Sequence, residues 1–172
     1  MSYKIIDNFL SKEFYDFISN ELKDLKTPWY FQENDVPGVK NNGFFSFCYY
    51  NNFRPMHNMF DSHITPILNR LDVASCIQVR ANLVFRDIDT VECPYHTDND
   101  CLYSTTAIFY LTNCNAQTIL KINDKEVCID SVENRMLLFD TSILHKVKYQ
   151  TDVHKRYVIN FNFIRNKNEF KS

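Results

Sequence analysis

Residues 77–85 read IQVRANLVF and residues 156–164 read RYVINFNFI. In an extended chain successive side chains point to opposite faces. The first segment therefore puts Ile77, Val79, Ala81, Leu83 and Phe85 on one face and Gln78, Arg80, Asn82 and Val84 on the other. The second puts Tyr157, Ile159, Phe161 and Phe163 on one face and Arg156, Val158, Asn160 and Asn162 on the other. Between them lie TTAIFYLT (105–112), TILKI (118–122), KEVCI (125–129), RMLLF (135–139) and HKVKY (145–149). Short apolar runs at this spacing predict an antiparallel β-sandwich or barrel. Asn123-Asp124 has the residue types of a tight hairpin turn. The polar face of 156–162 reads either as a solvated outer face or as the wall of a polar pocket.

Working outward, Tyr3–Ile6 is a short strand candidate. Ser11 offers an N-cap and Glu13 an acidic first turn, and Phe14, Phe17, Ile18, Leu22 and Leu25 recur at helical spacing until Thr27-Pro28. Residues 29–53 read as aromatic-rich strands flanking an Asn-rich loop, and residues 56–71 as a second helical pattern interrupted at Pro66. The fold class expected is α+β, mainly β, with the helices packed on one sheet.

The chain has 172 residues and 20.5 kDa, the size of one domain spanning 1–172, with a β-core over about 77–165. At 45% hydrophobic and 15% aromatic it can bury a core without disulfides or a structural metal. With only 2 glycines, the turns must come from Asn and Asp, which tolerate left-handed backbone angles. The formal net charge of −2 shows no basic excess, so nucleic acid is not an expected partner. No apolar run is long enough for a membrane span, and the N-terminus lacks the pattern of a signal peptide. Cytoplasmic residence is expected. The wealth of Asn, Lys, Ile and Phe suggests an A/T-rich genome, such as that of a phage or its bacterial host. None of the 6 cysteines forms a C-x-x-C pair, which predicts reduced, mostly buried thiols.

The chemistry-bearing residues begin with His96-Thr97-Asp98, where residues two apart on an extended backbone can converge on one ion. Asp100 is a competing carboxylate. His145 follows the apolar RMLLF strand, and Arg156 opens the RYVINFNFI strand. Each alone has a bland reading as a surface or strand-face residue. His57 and His63 are spaced to fall on different helix faces, a His57/Asp61 metal pair is disfavoured, and His154 is expected at an exposed rim. Trp29, Tyr30, Phe31 and the stretch 44–54 read as core aromatics or as a lid. Cys93 and Cys101 flank the His-x-Asp motif, as quiet small residues or as sites of oxidation.

Jointly, H-x-D at 96–98, His145 on a later strand and Arg156 on the next resemble the Fe(II)- and 2-oxoglutarate-dependent oxygenases, in the prolyl 4-hydroxylase-like branch. The likeness extends to TAIFYLT, RMLLFD and RYVINFNF, and IIDNFLSKEF with PWYF is similar to small phage and bacterial members. It covers roughly residues 3–165. It implies a double-stranded β-helix (jelly-roll, cupin-like) core with N-terminal helices on one sheet. It implies that His96, Asp98 and His145 bind Fe(II) as a facial triad that leaves three positions open. 2-Oxoglutarate and O2 would be co-substrates, and ascorbate a supportive reductant. Arg156 would clamp the far carboxylate of 2-oxoglutarate, Tyr110 would donate to it, and Asn160 would stand where relatives carry a threonine. Asn82, on the polar face of the first core strand, would point into the same pocket. Asn162 departs from the aromatic found in prolyl hydroxylases. The implied activity is hydroxylation of an unactivated C–H, with a prolyl residue of a peptide or protein, or a small molecule, as substrate. The alternative is a non-catalytic β-sandwich module that binds metal for structure or not at all. The sequence does not encode an oligomeric state legibly.

Overall fold

The structure is a computed structural model and describes residues 3–24, 26–33, 43–86 and 92–166. Leu25, the Asn-rich loop and the C-terminal residues from 167 lie outside the described residues. The elements in chain order are β1 (Tyr3–Ile6), α1 (Lys12–Lys23), β2 (Tyr30–Gln32), β3 (Phe44–Asn51), β4 (Arg54–Pro55), a π-helical turn (Phe60–Ile64) continuing into α2 (Thr65–Arg70), and β5 (Val73–Phe85). The series ends with β6 (Thr105–Tyr110), β7 (Cys114–Ile122), β8 (Lys125–Ser131), β9 (Arg135–Asp140), β10 (His145–Lys148) and β11 (Lys155–Arg165).

The strands form two antiparallel sheets. The large one runs β1-β9-β6-β11-β5-β3-β2 with β4 attached to β3, and the small one runs β10-β7-β8. This is the expected mainly-β, two-sheet architecture. Strand alternation divides the interior into two apolar layers. On one face of the large sheet, Val79, Ala81, Phe109, Met136, Leu138, Ile159, Phe161 and Phe163 pack against Phe9, Ile18 and Leu22 from the α1 region and Ile64 and Ile67 from the second helical segment. On the other face, Ile108, Leu137, Phe139 and Val158 meet Leu120 and Ile129 of the small sheet. Each fully buried Leu, Ile or Phe contributes roughly 1.5–3 kcal/mol, so both layers are needed to fix the strand register.

Helix α1 starts as the sequence predicts, with Ser11 Oγ accepting from the Phe14 amide at 3.3 Å. Its buried side chains are Tyr15, Ile18, Ser19 and Leu22. In the second segment a π-helical turn passes into α2, and Pro66 stands in the first turn of α2, where the geometry changes. The core strand starts earlier than Ile77. Asn162 pairs with Gln78 and Phe163 with Cys76, so Ile77 is the extra residue of a β-bulge. Cys76, not Ile77, continues the helix-side face.

Turns are built from Asn and Asp. Left-handed backbone occurs at Asn8, Asn52, Asp72, Asn123, Asp124 and Asn134, alongside Phe53 and Tyr103. Asn123 and Asp124 join β7 to β8 at φ 49° and 58°, the signature of a type I′ hairpin. Asn134 does more than turn the chain. Its Oδ1 accepts from the Leu10 amide at 2.8 Å and its Nδ2 donates to the Leu10 carbonyl at 2.9 Å, clipping the N-terminal segment to the start of β9. All six cysteines are free thiols, though only Cys93 is fully buried. No helix among the described residues is long and apolar enough to cross a membrane.

His63 is buried beneath α1, with its Nδ1 3.0 Å from the Tyr49 hydroxyl and its ring 5.0 Å from that of Phe17. Burial, with a smaller contribution from His57, pushes its pKa down to about 4. The unfolded chain therefore binds the extra proton between about pH 4 and 6.5, and folding stability falls as pH drops through that window. The expected loss is at most about 3.5 kcal/mol at roughly 1.4 kcal/mol per unit. Urea melts of the wild type and His63→Gln at pH 7.5 and pH 5 should show a markedly smaller acid penalty in the variant. Parallel pH dependence in the two proteins would refute the assignment.

Candidate functional site

His96 lies in the segment preceding β6, and His145 opens β10. The two residues form an isolated antiparallel bridge, each amide donating to the other's carbonyl at 3.0 Å. Paired residues project side by side, so the rings lie 4.5 Å apart between centroids. Asp98, two residues past His96, turns its Oδ1 to within 3.9 Å of His96 Nε2 and 3.5 Å of His145 Nε2. One ligand atom from each of the three lies within 4.8 Å of the others. Among the described residues it is the one cluster of this kind.

The rings are oriented from behind. His96 Nδ1 is 3.0 Å from the Pro94 carbonyl, and His145 Nδ1 is 3.3 Å from the Ile143 carbonyl. A carbonyl can only accept, so each Nδ1 carries a proton, and each Nε2 faces Asp98. Asp98 Oδ2 is buried with no hydrogen-bond partner. Burial works to raise the Asp98 pKa, but His145, His96 and Arg80 outweigh it and hold the carboxyl below its ordinary value. A buried carboxylate with an unused oxygen and two imidazole lone pairs is a donor set that fits a divalent transition ion.

The segment carrying His96 is also pinned from the side. Lys146 on β10 pairs with Glu92 at 2.8 Å and with Glu126 on β8 at 2.9 Å, and Tyr95 donates to Glu126 at 2.6 Å. Sequence reasoning did not identify this clasp, because its members are ordinary surface types scattered along the chain.

The three residues open onto a cavity of about 430 Å³ between the sheets. The polar face of β11 lines it, which decides for the pocket reading over the solvated one. Arg156 is 2% exposed, and its Nε donates to Ser131 Oγ at 3.4 Å. No carboxylate among the described residues pairs with its guanidinium. Asn82 and Asn160 are on the wall, and each has a buried Oδ1 without a partner. Tyr110 is fully buried, its hydroxyl donates to Thr118 Oγ1 at 2.8 Å, and Thr118 lines the cavity. Tyr110 still flanks the arginine, its ring centroid 5.8 Å from the Arg156 guanidinium carbon.

Arg80 is a second guanidinium on the wall, and the sequence reading assigned it no role. The signal was present, since alternation puts Arg80 on the face of Asn82. Of the aromatics read as a lid, only Phe44 borders the cavity. Trp29 packs on Phe47 and Tyr157 on the helix side of the sheet, while Tyr30 and Phe31 are exposed on the edge strand β2. Asn162 accepts from Thr106 Oγ1 at 2.9 Å inside the sandwich and stays off the cavity wall. Asp100 and His154 are exposed and stand outside the cluster. His57 packs on Phe47, away from the cavity. Cys93 is on the wall and Cys101 is exposed.

No family model matches the sequence. None of the curated proteins is similar to it in sequence. Solved structures are similar in fold. A prolyl-4-hydroxylase of Pseudomonas putida superposes with a TM-score of 0.68 at 13% identity, over 95% of this chain and 92% of its own. A prolyl hydroxylase of Trichoplax adhaerens, solved with a peptide fragment of the hypoxia-inducible-factor oxygen degradation domain, gives 0.66 at 19% identity, over 96% and 84%. An oxidoreductase of the 2OG-Fe(II) oxygenase family from Burkholderia pseudomallei gives 0.68 at 7% identity, over 96% and 88%. The chain therefore has the double-stranded β-helix fold of these structures.

A divalent ion such as Co(II) should raise the melting temperature of the wild type, and His96→Ala, Asp98→Ala and His145→Ala should each weaken its binding by about 100-fold or more. Asp100→Ala should bind as the wild type does. A loss in Asp100→Ala equal to that in Asp98→Ala would move the carboxylate ligand.

Proposed function

We propose that the chain, acting as one domain over residues 1–172, is an Fe(II)- and 2-oxoglutarate-dependent dioxygenase that hydroxylates an unactivated C–H bond. One observation carries this reading. The His96/Asp98/His145 cluster and the buried guanidinium of Arg156, with which no carboxylate among the described residues pairs, open onto the same cavity. A metal-binding triad alone suits many proteins, but a triad facing a buried cation requires a ligand that is anionic at its far end. The shared fold with 2-oxoglutarate oxygenase structures supports the same reading.

In this reading His96 and His145 hold Fe(II) through Nε2 and Asp98 holds it through a carboxylate oxygen. When bound, Fe(II) with O2 supplies the oxidising power by which 2-oxoglutarate becomes succinate and CO2 while one oxygen atom enters the substrate C–H. Ascorbate would serve as a supportive reductant. The protein's own work is placement. Arg156 receives the far carboxylate of 2-oxoglutarate through its planar fork, which stays charged when desolvated. Ser131 fixes Arg156 Nε, and the Tyr110 ring flanks the guanidinium while its hydroxyl holds Thr118 toward the ligand. Asn82 and Asn160 present amide groups along the body of the co-substrate. Ile108, Val147 and Val158 keep that end of the cavity dry, which strengthens every charge-assisted contact there.

For the substrate, a prolyl ring, in a peptide, a protein or the free amino acid, is the first candidate. The fold shared with prolyl hydroxylases supports it, as does the peptide seen with the Trichoplax relative.

The direct test is anaerobic addition of Fe(II) and 2-oxoglutarate. A weak visible charge-transfer band should appear with the wild type and be lost in His96→Ala, and aerobic protein should release succinate. An identical spectrum in wild type and variant would end the proposal. Separately, Arg156→Ala should weaken 2-oxoglutarate binding by about 10- to 100-fold, the scale of a lost bidentate charged hydrogen bond, with Fe(II) affinity unchanged. Equal losses for both ligands would contradict the clamp.

A further inference from the structure

The cavity holds more positive charge than one dicarboxylate can answer. Arg80 projects from β5 onto the same wall as Asn82, and its Nε is buried with no partner. Its guanidinium carbon lies 5.4 Å from the Phe44 ring centroid, so the planar group is supported on an aromatic face. Both side chains are half-buried, whereas Arg156 is almost fully enclosed. The register sets the two arginines apart. Arg156 is opposite Val84, and Arg80 is opposite Asn160. Their backbones are thus roughly 13 Å apart along the strands, at about 3.3 Å per residue. They therefore serve different ends of the cavity.

Charge accounting points the same way. With a divalent ion at the triad and a doubly charged co-substrate on Arg156, Asp98 leaves one positive charge of the cavity unanswered, that of Arg80. A half-buried guanidinium without a hydrogen-bonding or ionic partner among the described residues is costly unless a ligand completes it. Its platform on Phe44 holds it ready instead of letting it swing into solvent. Arg80 lines the same cavity as His96, Asp98 and His145, so an anion held on Arg80 shares that cavity with the triad.

Building on the reading above, we propose that Arg80, stacked on Phe44, is the substrate-recognition residue and binds a carboxylate of the substrate. The substrate class is then a small carboxylate-bearing molecule of the amino-acid kind, oxidised at a carbon close to its acid group. A cavity of about 430 Å³ shared with a co-substrate suits a molecule of that size.

The probes are the proteinogenic L-amino acids and their α-carboxamides, which differ only in the charge Arg80 would read. Calorimetric binding is measured on the protein loaded with Mn(II), under argon, with and without 2-oxoglutarate. At least one acid should bind the wild type at least about 10-fold more tightly than its amide. Arg80→Gln should weaken that acid by about 10- to 100-fold, leave the amide unchanged and keep 2-oxoglutarate affinity within about twofold. Arg80→Lys should recover part of the loss. If Arg80→Gln loses 2-oxoglutarate as Arg156→Ala does, both arginines serve the co-substrate and the proposal fails. It fails equally if no acid is preferred over its amide, or if Arg80→Gln leaves the preferred acid unaffected. Absence of 2-oxoglutarate binding to the wild type would instead strike the oxygenase reading, and the acid–amide comparison made without 2-oxoglutarate keeps the two failures apart.

Discussion

The site depends on one backbone bridge, the reciprocal pair of hydrogen bonds between His96 and His145. A side chain alone could not set two imidazoles at a fixed separation, because each has two rotatable bonds. Antiparallel pairing does so, since bridged residues share a face and their Cβ atoms stand about 5 Å apart. Once the bridge exists, Asp98 arrives two residues later on the same side. The carbonyls of Pro94 and Ile143 then settle the ring rotation and the tautomer. The bridge is in turn stapled by Lys146 between Glu92 and Glu126. That arrangement places a charged clasp on the outside of the small sheet and leaves the inside to the His96/Asp98/His145 cluster.

The large sheet supplies the second condition. Its strands are sided so that one face carries the main apolar core beneath the helices and the other carries polar groups inward. Burying Arg156, Asn82 and Asn160 is unfavourable unless something completes their hydrogen bonds. The helix-side layer, with Phe9, Ile18, Leu22 and Ile64 against Phe109, Phe161 and Phe163, offsets that cost. The larger apolar layer thus lies on one face of these strands, and the polar cavity lies on the other beside the smaller layer. A one-residue slip of β11 would exchange them and destroy both, which is why the register is held on each side, by β5 and by β6. The bulge at Ile77 lies at the far end of β5, where it shifts the strand without disturbing the residues around the cavity.

The electrostatics follow the same division. Within the cavity a single buried carboxylate, Asp98, is set among two imidazoles and two guanidiniums. The arrangement is poised for anions, and under the proposed function the His/Asp cluster and the guanidiniums would select for molecules that carry charge at one end and a donor pair at the other. Elsewhere the titratable groups have structural duties, as His63 does beneath α1 and Asp7 does in its bidentate pairing with Arg135.

Local information sufficed for a good deal. Period-two alternation in 77–85 and 156–164 determined which side chains share a face, and the faces hold in the structure for Arg80, Asn82, Val84, Arg156, Val158 and Asn160 as cavity-lining residues. Residue types alone placed the α1 cap at Ser11 and the hairpin at Asn123-Asp124, because capping and left-handed turns are decided within a few residues. The break expected at Pro66 falls where a π-helical turn gives way to α2, and that the turn is π-helical depends on packing. Whether the polar face of β11 meets water or a cavity was likewise undecidable, since alternation fixes sides but not what lies opposite. Only the stacking of the small sheet over that face closed the pocket and brought Thr118 to the Tyr110 hydroxyl, while packing on Phe47 and Tyr157 holds Trp29 on the helix side. It also left Arg80 facing the triad, a relation between residues distant in sequence that no local pattern contains.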